Sequence, residues 1–138
     1  MASYPLACRS ERVALMQMFI DLNQAIHDSI FHPDQTPEGE MDPNLSLIAA
    51  AVLLGHAAGQ PLTPTEIADC IRMSRPSVIH GLRKLMEHGI VIRSEGKYYL
   101  EPERAANVPM LERFTKILAA SFSVLGPYLA SKMDAAPK

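Results

Sequence analysis

The sequence predicts a mainly α fold interrupted once, late in the chain, by a small β-hairpin. Three observations predict it. Long stretches carry apolar residues at helical spacing, and prolines with capping residues punctuate them. One stretch, "IVIRSEGKYYL", instead sets β-branched and aromatic residues on either side of a Gly-containing turn. At 138 residues, 48% of them hydrophobic, the chain suits a single domain spanning 1–138. In so short a chain, long helices with two apolar faces point to a second copy that completes the core.

The first helix is expected from about Ser10 to Phe31. Leu15, Phe19, Leu22, Ile26 and Ile30 make one stripe, and Val13, Met16 and Ile20 make an adjoining one. His32-Pro33 stops it, and an acidic linker rich in turn formers runs through Met41. Asp42 then has the form of an N-cap, with Pro43 at the first helical position, where a missing N–H costs nothing. That helix runs to Gly59 and, being apolar nearly all round, is expected to sit centrally.

In "LTPTEIADCI", Thr63 and Glu66 stand at capping-box spacing, which predicts a short helix from Pro64 to Ile71 with Ile67, Ala68 and Ile71 inward. Arg72, Met73 and Ser74 separate it from another helix, capped by Ser74 and ended by Gly89. Two short helices joined by so tight a turn have helix-turn-helix spacing. The hairpin follows, with "IVIR" and "KYYL" as its arms. After Pro102 a last helix is expected, with Asn107 as cap and Pro109 near its start. Its stripe is Leu111, Phe114, Leu118, Phe122, Leu125 and Leu129, widened by Met110, Ile117, Val124 and Tyr128, and Gly126-Pro127 should bend it.

Charge is unevenly spread. From Arg72 to Lys97 there are six basic residues against Glu87 and Glu95, a balance of +4 in a chain whose net charge is −2, so the remainder carries −6. A concentrated positive face on an otherwise acidic protein suits a polyanionic partner. On a helical wheel of 74–88, Val78, Leu82 and Leu85 point inward, while Ser77, His80 and Lys84 point outward with Pro76 and Arg83 beside them. Such a helix fits the major groove of double-stranded DNA, where these side chains meet base edges and phosphates. The helix start near Ser74 and Arg75 offers free N–H groups to a phosphate.

The stretch "LTPTEIADCIRMSRPSVIHGLRKLMEHGIVIRSEGKYYL" resembles the winged helix-turn-helix of bacterial transcription regulators. With a long helix before it and another after, the whole chain resembles the MarR (multiple antibiotic resistance regulator) family, and "SRPSVIHGLRKLMEHGIV" carries the sharpest likeness. The compact "GKYYL" is also similar to the wing of IclR-type regulators. Two features depart from the MarR pattern: Arg72 stands at a turn position often filled by glycine, and the wing lacks the usual Asp-x-Arg element and the Leu-Thr pair after it.

The resemblance implies a winged helix-turn-helix over 43–101, flanked by dimerisation helices over 10–31 and 107–131. It further implies a homodimeric DNA-binding regulator, a repressor that reads a palindromic operator in response to a signal; the two widely spaced cysteines and the lack of a charged start with an apolar run lead to the expectation of a reduced, cytoplasmic protein. The DNA-binding set is then Thr63, Ser74, Arg75, Pro76, Ser77, His80, Arg83, Lys84, Arg93 and Lys97. With the Asp-x-Arg element missing, Arg93 and Lys97 become the wing's phosphate contacts. A winged-helix module that docks protein and has no operator is the rival reading.

Weaker candidates stand beside this set. His56, on an otherwise apolar helix, is a candidate for lining a pocket for a small aromatic acid of the kind that similar regulators bind, although a satisfied core histidine is the simpler account. His27 and His32 with Asp28 and Asp34 lack a fixed metal-ligand spacing, so no metal or other cofactor is expected. Cys8 and Cys70 are too far apart in sequence to suggest a metal site, and Cys70 is expected to be a small core residue. No nucleophile with its base and no phosphate loop is present, which argues against an enzyme. The most apolar segment, 45–58, is too short to cross a bilayer.

Overall fold

A computed structural model describes residues 4–30, 42–108 and 110–135. Its elements are α1 (Arg9–Ile30), α2 (Pro43–Ala57), α3 (Pro64–Ile71), α4 (Arg75–Glu87), β1 (Val91–Ser94), β2 (Lys97–Leu100), α5 (Pro102–Ala106) and α6 (Leu111–Ala135). This is the mainly α fold with one hairpin, a winged helix-turn-helix preceded and followed in chain order by a long helix. The expected stop of α1 at His32-Pro33, the acidic linker and Pro109 lie outside the described residues. Among those described, no helix is long and apolar enough to cross a membrane.

The chain gathers into two compact units, Ile26–Pro109 and Met1–Ala25 with Met110–Lys138. The first is built around α2, whose Leu45, Ile48, Ala49 and Val52 are buried against Ile67 and Ala68 of α3, Val78, Leu82 and Leu85 of α4, and Val91 and Tyr98 of the hairpin. Ile30 joins this core from the last turn of α1, with Ile26 packed against it. The Arg104 guanidinium of α5 donates to the Ser29 carbonyl, fixing that turn from outside the core. The central position expected for α2 is observed, but burial is one-sided: Leu47, Leu53 and Leu54 are exposed.

Local chemistry sets the element ends as the residues suggest. The Asp42 carboxylate accepts the Asn44 amide at 3.0 Å and caps α2. Gly59 (φ 73°) and Gly89 (φ 70°) turn the chain out of α2 and α4 in the left-handed region that glycine enters without a Cβ clash. In the hairpin, Glu95 (φ 52°) and Gly96 (φ 76°) both have positive φ, the pattern of a two-residue type I′ turn. The register pairs Val91 with Leu100, Ile92 with Tyr99, Arg93 with Tyr98 and Ser94 with Lys97.

Two expectations are corrected by the chain after the hairpin and by α3. Asn107 does not cap the last helix: it closes α5, a one-turn helix the periodicity did not reveal, and its side-chain amide donates back to the Glu103 carbonyl at 2.9 Å. Glu101 is the cap there, its carboxylate taking both the Glu103 and Arg104 amides. Cys70 is exposed rather than a core residue, because Ile67, Ala68 and Ile71 define the inner face of α3 and Cys70 sits roughly 100° round from its centre.

In the second unit, α6 continues through Gly126-Pro127 to Ala135. Its half-buried line is Phe114, Ile117, Leu125 and Tyr128 with buried Ser121, while Leu111, Leu118, Phe122 and Leu129 of the expected stripe are exposed. On α1, Ala14, Met18 and Leu22 are half-buried, and Val13, Leu15, Met16, Phe19 and Ile20 are exposed. A side-chain hydrogen bond with Cys8, reinforced by the charge of Glu11, raises the Tyr128 phenol above its ordinary range.

Candidate nucleic-acid interface

The site is assembled from three short segments of the first unit: the start of α3, the turn into α4 with the outward face of α4, and the hairpin. At the start of α3 the capping box is complete. The Thr63 hydroxyl accepts the Glu66 amide at 3.2 Å, and the Glu66 carboxylate accepts the Thr63 amide at 3.0 Å. Hydrogen bonding of the carboxylate to Thr63, by its backbone amide foremost and by its side chain, holds the Glu66 carboxyl below the usual range, and the positive charge of Lys97 adds a smaller effect.

Arg72 closes α3 with φ 54° and ψ 51°, a left-handed cap whose N–H reaches the Ala68 carbonyl. That geometry explains why glycine would suit the position, and it leaves the arginine side chain exposed in the turn. Arg72 lies within the basic run, outside the set expected to bind DNA, and its departure from glycine is the signal in the sequence that marks the position.

Ser74 then caps α4, its hydroxyl oxygen accepting the Ser77 amide at 3.3 Å and its O–H donating to the Ser77 hydroxyl at 2.8 Å. Ser77 is thereby an acceptor within the turn and keeps its own O–H to donate outward. Val78, Leu82 and Leu85 are buried, whereas Arg75, Pro76, Ser77, His80 and Arg83 are exposed and Lys84 half-buried, so the helix divides as the wheel predicts. A cleft of about 300 Å³ opens where α4 meets the start of α2; Pro76, Ser77 and His80 line one side and Asp42 and Asn44 the other.

The hairpin is tied to α3 and to α2. Tyr98 donates its amide to the Leu62 carbonyl at 3.0 Å in an isolated antiparallel bridge, so the residue before the capping box acts as a third, one-residue strand. Sequence patterning gave no sign of it, since one paired residue has no period. His56 of α2 accepts the Leu100 amide on Nδ1 at 3.0 Å and meets the Tyr99 ring edge-on at 5.4 Å. His56 therefore fastens the base of the hairpin, with the proton of its neutral ring on Nε2.

Arg93 and Lys97 are both exposed near the hairpin tip. In the observed register Arg93 shares a face with Tyr98, and Lys97 shares the other with Ser94, so the two cations leave the ribbon on opposite sides. Among the described residues, Arg72, Arg75, Arg83, Lys84, Arg93 and Lys97 make no ion pair. Six cations thus stay available on the unit that carries the helix-turn-helix. Elsewhere, His27 stands 3.6 Å from the Asp28 carboxylate, and His32 and Asp34 lie outside the described residues.

Comparison with known proteins reaches the same segment. Residues 57–93 match the bacterial regulatory protein arsR family. The matched span runs from the end of α2 through α3 and α4 into β1, which contains the turn and the candidate recognition helix. The chain carries a winged helix-turn-helix, and over this span it is similar to bacterial regulatory proteins. None of the curated proteins compared with it matches. A crystal structure from Pseudomonas aeruginosa PA01, whose description places it among transcriptional regulators, is 17% identical over 94% of this chain and 81% of that one, with a TM-score of 0.40. Similarity of that depth leaves the fold to be judged from this chain's own elements.

Proposed function

We propose that the protein is a homodimeric, sequence-specific reader of double-stranded DNA with a MarR-like arrangement, a repressor whose affinity a signal modulates. The observation that carries this reading is the division of α4. Its apolar face is buried to within 1% exposure at Val78, Leu82 and Leu85, and its opposite face presents Arg75, Ser77, His80 and Arg83 beside a hairpin bearing Arg93 and Lys97. α4 is the major-groove reader, with Arg75, Pro76, Ser77 and His80 at base edges and Arg83 and Lys84 at its margins. Thr63, Ser74 and the hairpin cations hold phosphates, which fixes register without reading sequence.

The second unit supports pairing of two chains. Val13, Met16, Phe19 and Ile20 of α1 and Leu118, Phe122 and Leu129 of α6 are all exposed, an apolar surface that water disfavours and a second copy would cover. Two α4 helices related by a two-fold axis read half-sites about 34–36 Å, or roughly 10 base pairs, apart on one face of B-DNA.

Selection from a random duplex pool followed by footprinting tests the reading. Recovered sites are expected to be inverted repeats with protection beyond both half-sites, bound by a particle of twice the chain mass in light scattering. Direct repeats or a bound monomer would defeat the two-fold arrangement, and no enrichment would leave the operator-free interaction module in its place.

A further inference from the structure

We propose that Glu66 is an affinity-setting residue for DNA: its carboxylate partly neutralises Lys97, so the hairpin's grip on the phosphate backbone is weaker than its own charge would make it. This rests on the reading of the first unit as a DNA binder. Two bonds fix the geometry. Tyr98 is joined to Leu62 at 3.0 Å, which sets its neighbour Lys97 beside Thr63, and the Thr63 amide holds the Glu66 carboxylate at 3.0 Å. The negative charge is thus anchored by a helix cap, and the backbone that carries Lys97 is held next to that cap by a strand bridge. The depression of the Glu66 carboxyl comes mainly from its bonds to Thr63 and includes a smaller contribution from Lys97, in keeping with this placement. No ion pair joins the two, so Lys97 remains free to meet a phosphate while feeling the carboxylate through space.

A polyanion brought to Lys97 also approaches Glu66 and is repelled by it. Because a phosphate carries no sequence information, this penalty applies to every duplex alike and fades as salt screens it. Glu66 thus restrains the non-specific share of binding while the base-reading face of α4 is left unchanged.

Glu66→Gln isolates the charge, since glutamine is itself a capping-box residue at this position. Binding of a fixed duplex and of a scrambled duplex is measured from low to moderate salt for wild type, Glu66→Gln, Lys97→Met and the double variant. Asp69→Asn, one turn further along α3, serves as control, and circular dichroism confirms that each variant is folded. Glu66→Gln is expected to bind both duplexes about two- to fivefold more tightly at low salt. The gain should shrink as salt rises and largely vanish in the Lys97→Met background. In the free protein, NMR titration of the Glu66 carboxyl should move upward in Lys97→Met, a readout that needs no DNA. Equal binding by wild type and Glu66→Gln, an unchanged gain without Lys97, or the same gain from Asp69→Asn would overturn the proposal. Wild type that binds no duplex would instead defeat the DNA reading on which it rests.

Discussion

Gly81 of α4 lies so close to Ile48 of α2 that a methyl group at its Cα would overlap the Ile48 Cδ1. Ile48 is fully buried, and the second neighbour on that side, Leu45, is nearly so. The glycine is therefore a contact surface: it lets the backbone of the candidate recognition helix approach the central helix closely. Gly81→Ala should lower stability by about 1–3 kcal/mol despite the better helix propensity of alanine. Adding Ile48→Val, which removes the overlapping carbon, should recover part of that loss. Urea unfolding of the two single variants and the double variant measures both; additive losses would show that the overlap is relieved elsewhere.

Arg72 offers the opposite case, a side chain where glycine would fit with less strain. Its φ of 54° is costly for any residue with a Cβ. Arg72→Gly should raise stability by about 0.5–1 kcal/mol once the greater freedom of glycine in the unfolded chain is set against the relief. Arg72→Ala keeps the Cβ and should change little. Thermal unfolding of both variants decides whether the backbone or the guanidinium governs this turn.

His56→Phe should loosen the hairpin. The ring would still meet Tyr99, but the Leu100 amide would lose its acceptor, a loss of about 1–3 kcal/mol for a partly buried N–H. Hydrogen exchange at Leu100 should accelerate more than exchange in α4. Uniform acceleration throughout the unit would point to global destabilisation instead.

The buried Ser46 hydroxyl, 2% exposed as a residue, has no hydrogen-bond partner among the described residues. Its desolvation is uncompensated, so Ser46→Ala should be neutral or stabilising by up to about 1 kcal/mol. A marked loss of stability would reveal a partner for that oxygen.

Acid should act on the α3 cap. The Glu66 carboxyl is lowered in the folded chain, so the stability it contributes is present above the unfolded carboxyl value of about 4.3 and is lost as pH falls through the lower folded value. Glu66→Gln should flatten the stability profile in that acid window, lying below wild type near neutrality and converging with it as pH falls. A flat wild-type profile there would count against ionised Glu66 as the cap's contributor.

What the sequence disclosed follows from how local each cause is. Thr63 with Glu66, Ser74 before Pro76, and Asp42 before Pro43 act within one helical turn, and all three caps are observed as read. The buried face of α4 follows from periodicity alone. The Leu62–Tyr98 bridge, the His56–Leu100 bond and the Arg104–Ser29 bond join residues 36 to 75 apart, and no spacing rule reaches that far. The same limit hid the approach of the hairpin to the α3 cap: Glu66 is legible as a cap and Lys97 as a hairpin cation, but only the bridge brings the strand that carries Lys97 to the start of α3. On α6 the apolar pattern was too broad to choose a side, and the inward line includes Ser121, which no hydrophobic stripe would have selected.

The Glu95-Gly96 turn imposes a rule of parity on the hairpin. Side chains alternate between faces, so with a two-residue turn Tyr98 falls inward at 6% exposure while its neighbour Lys97 falls on the other face. A single residue inserted into the turn without a compensating bulge would shift the returning arm by one place, swapping lysine into the core and the tyrosine ring into water. Two inserted residues would lengthen the loop and restore both. Loop length in this protein should therefore tolerate change in even steps, and an odd step should damage the core and the charged tip together.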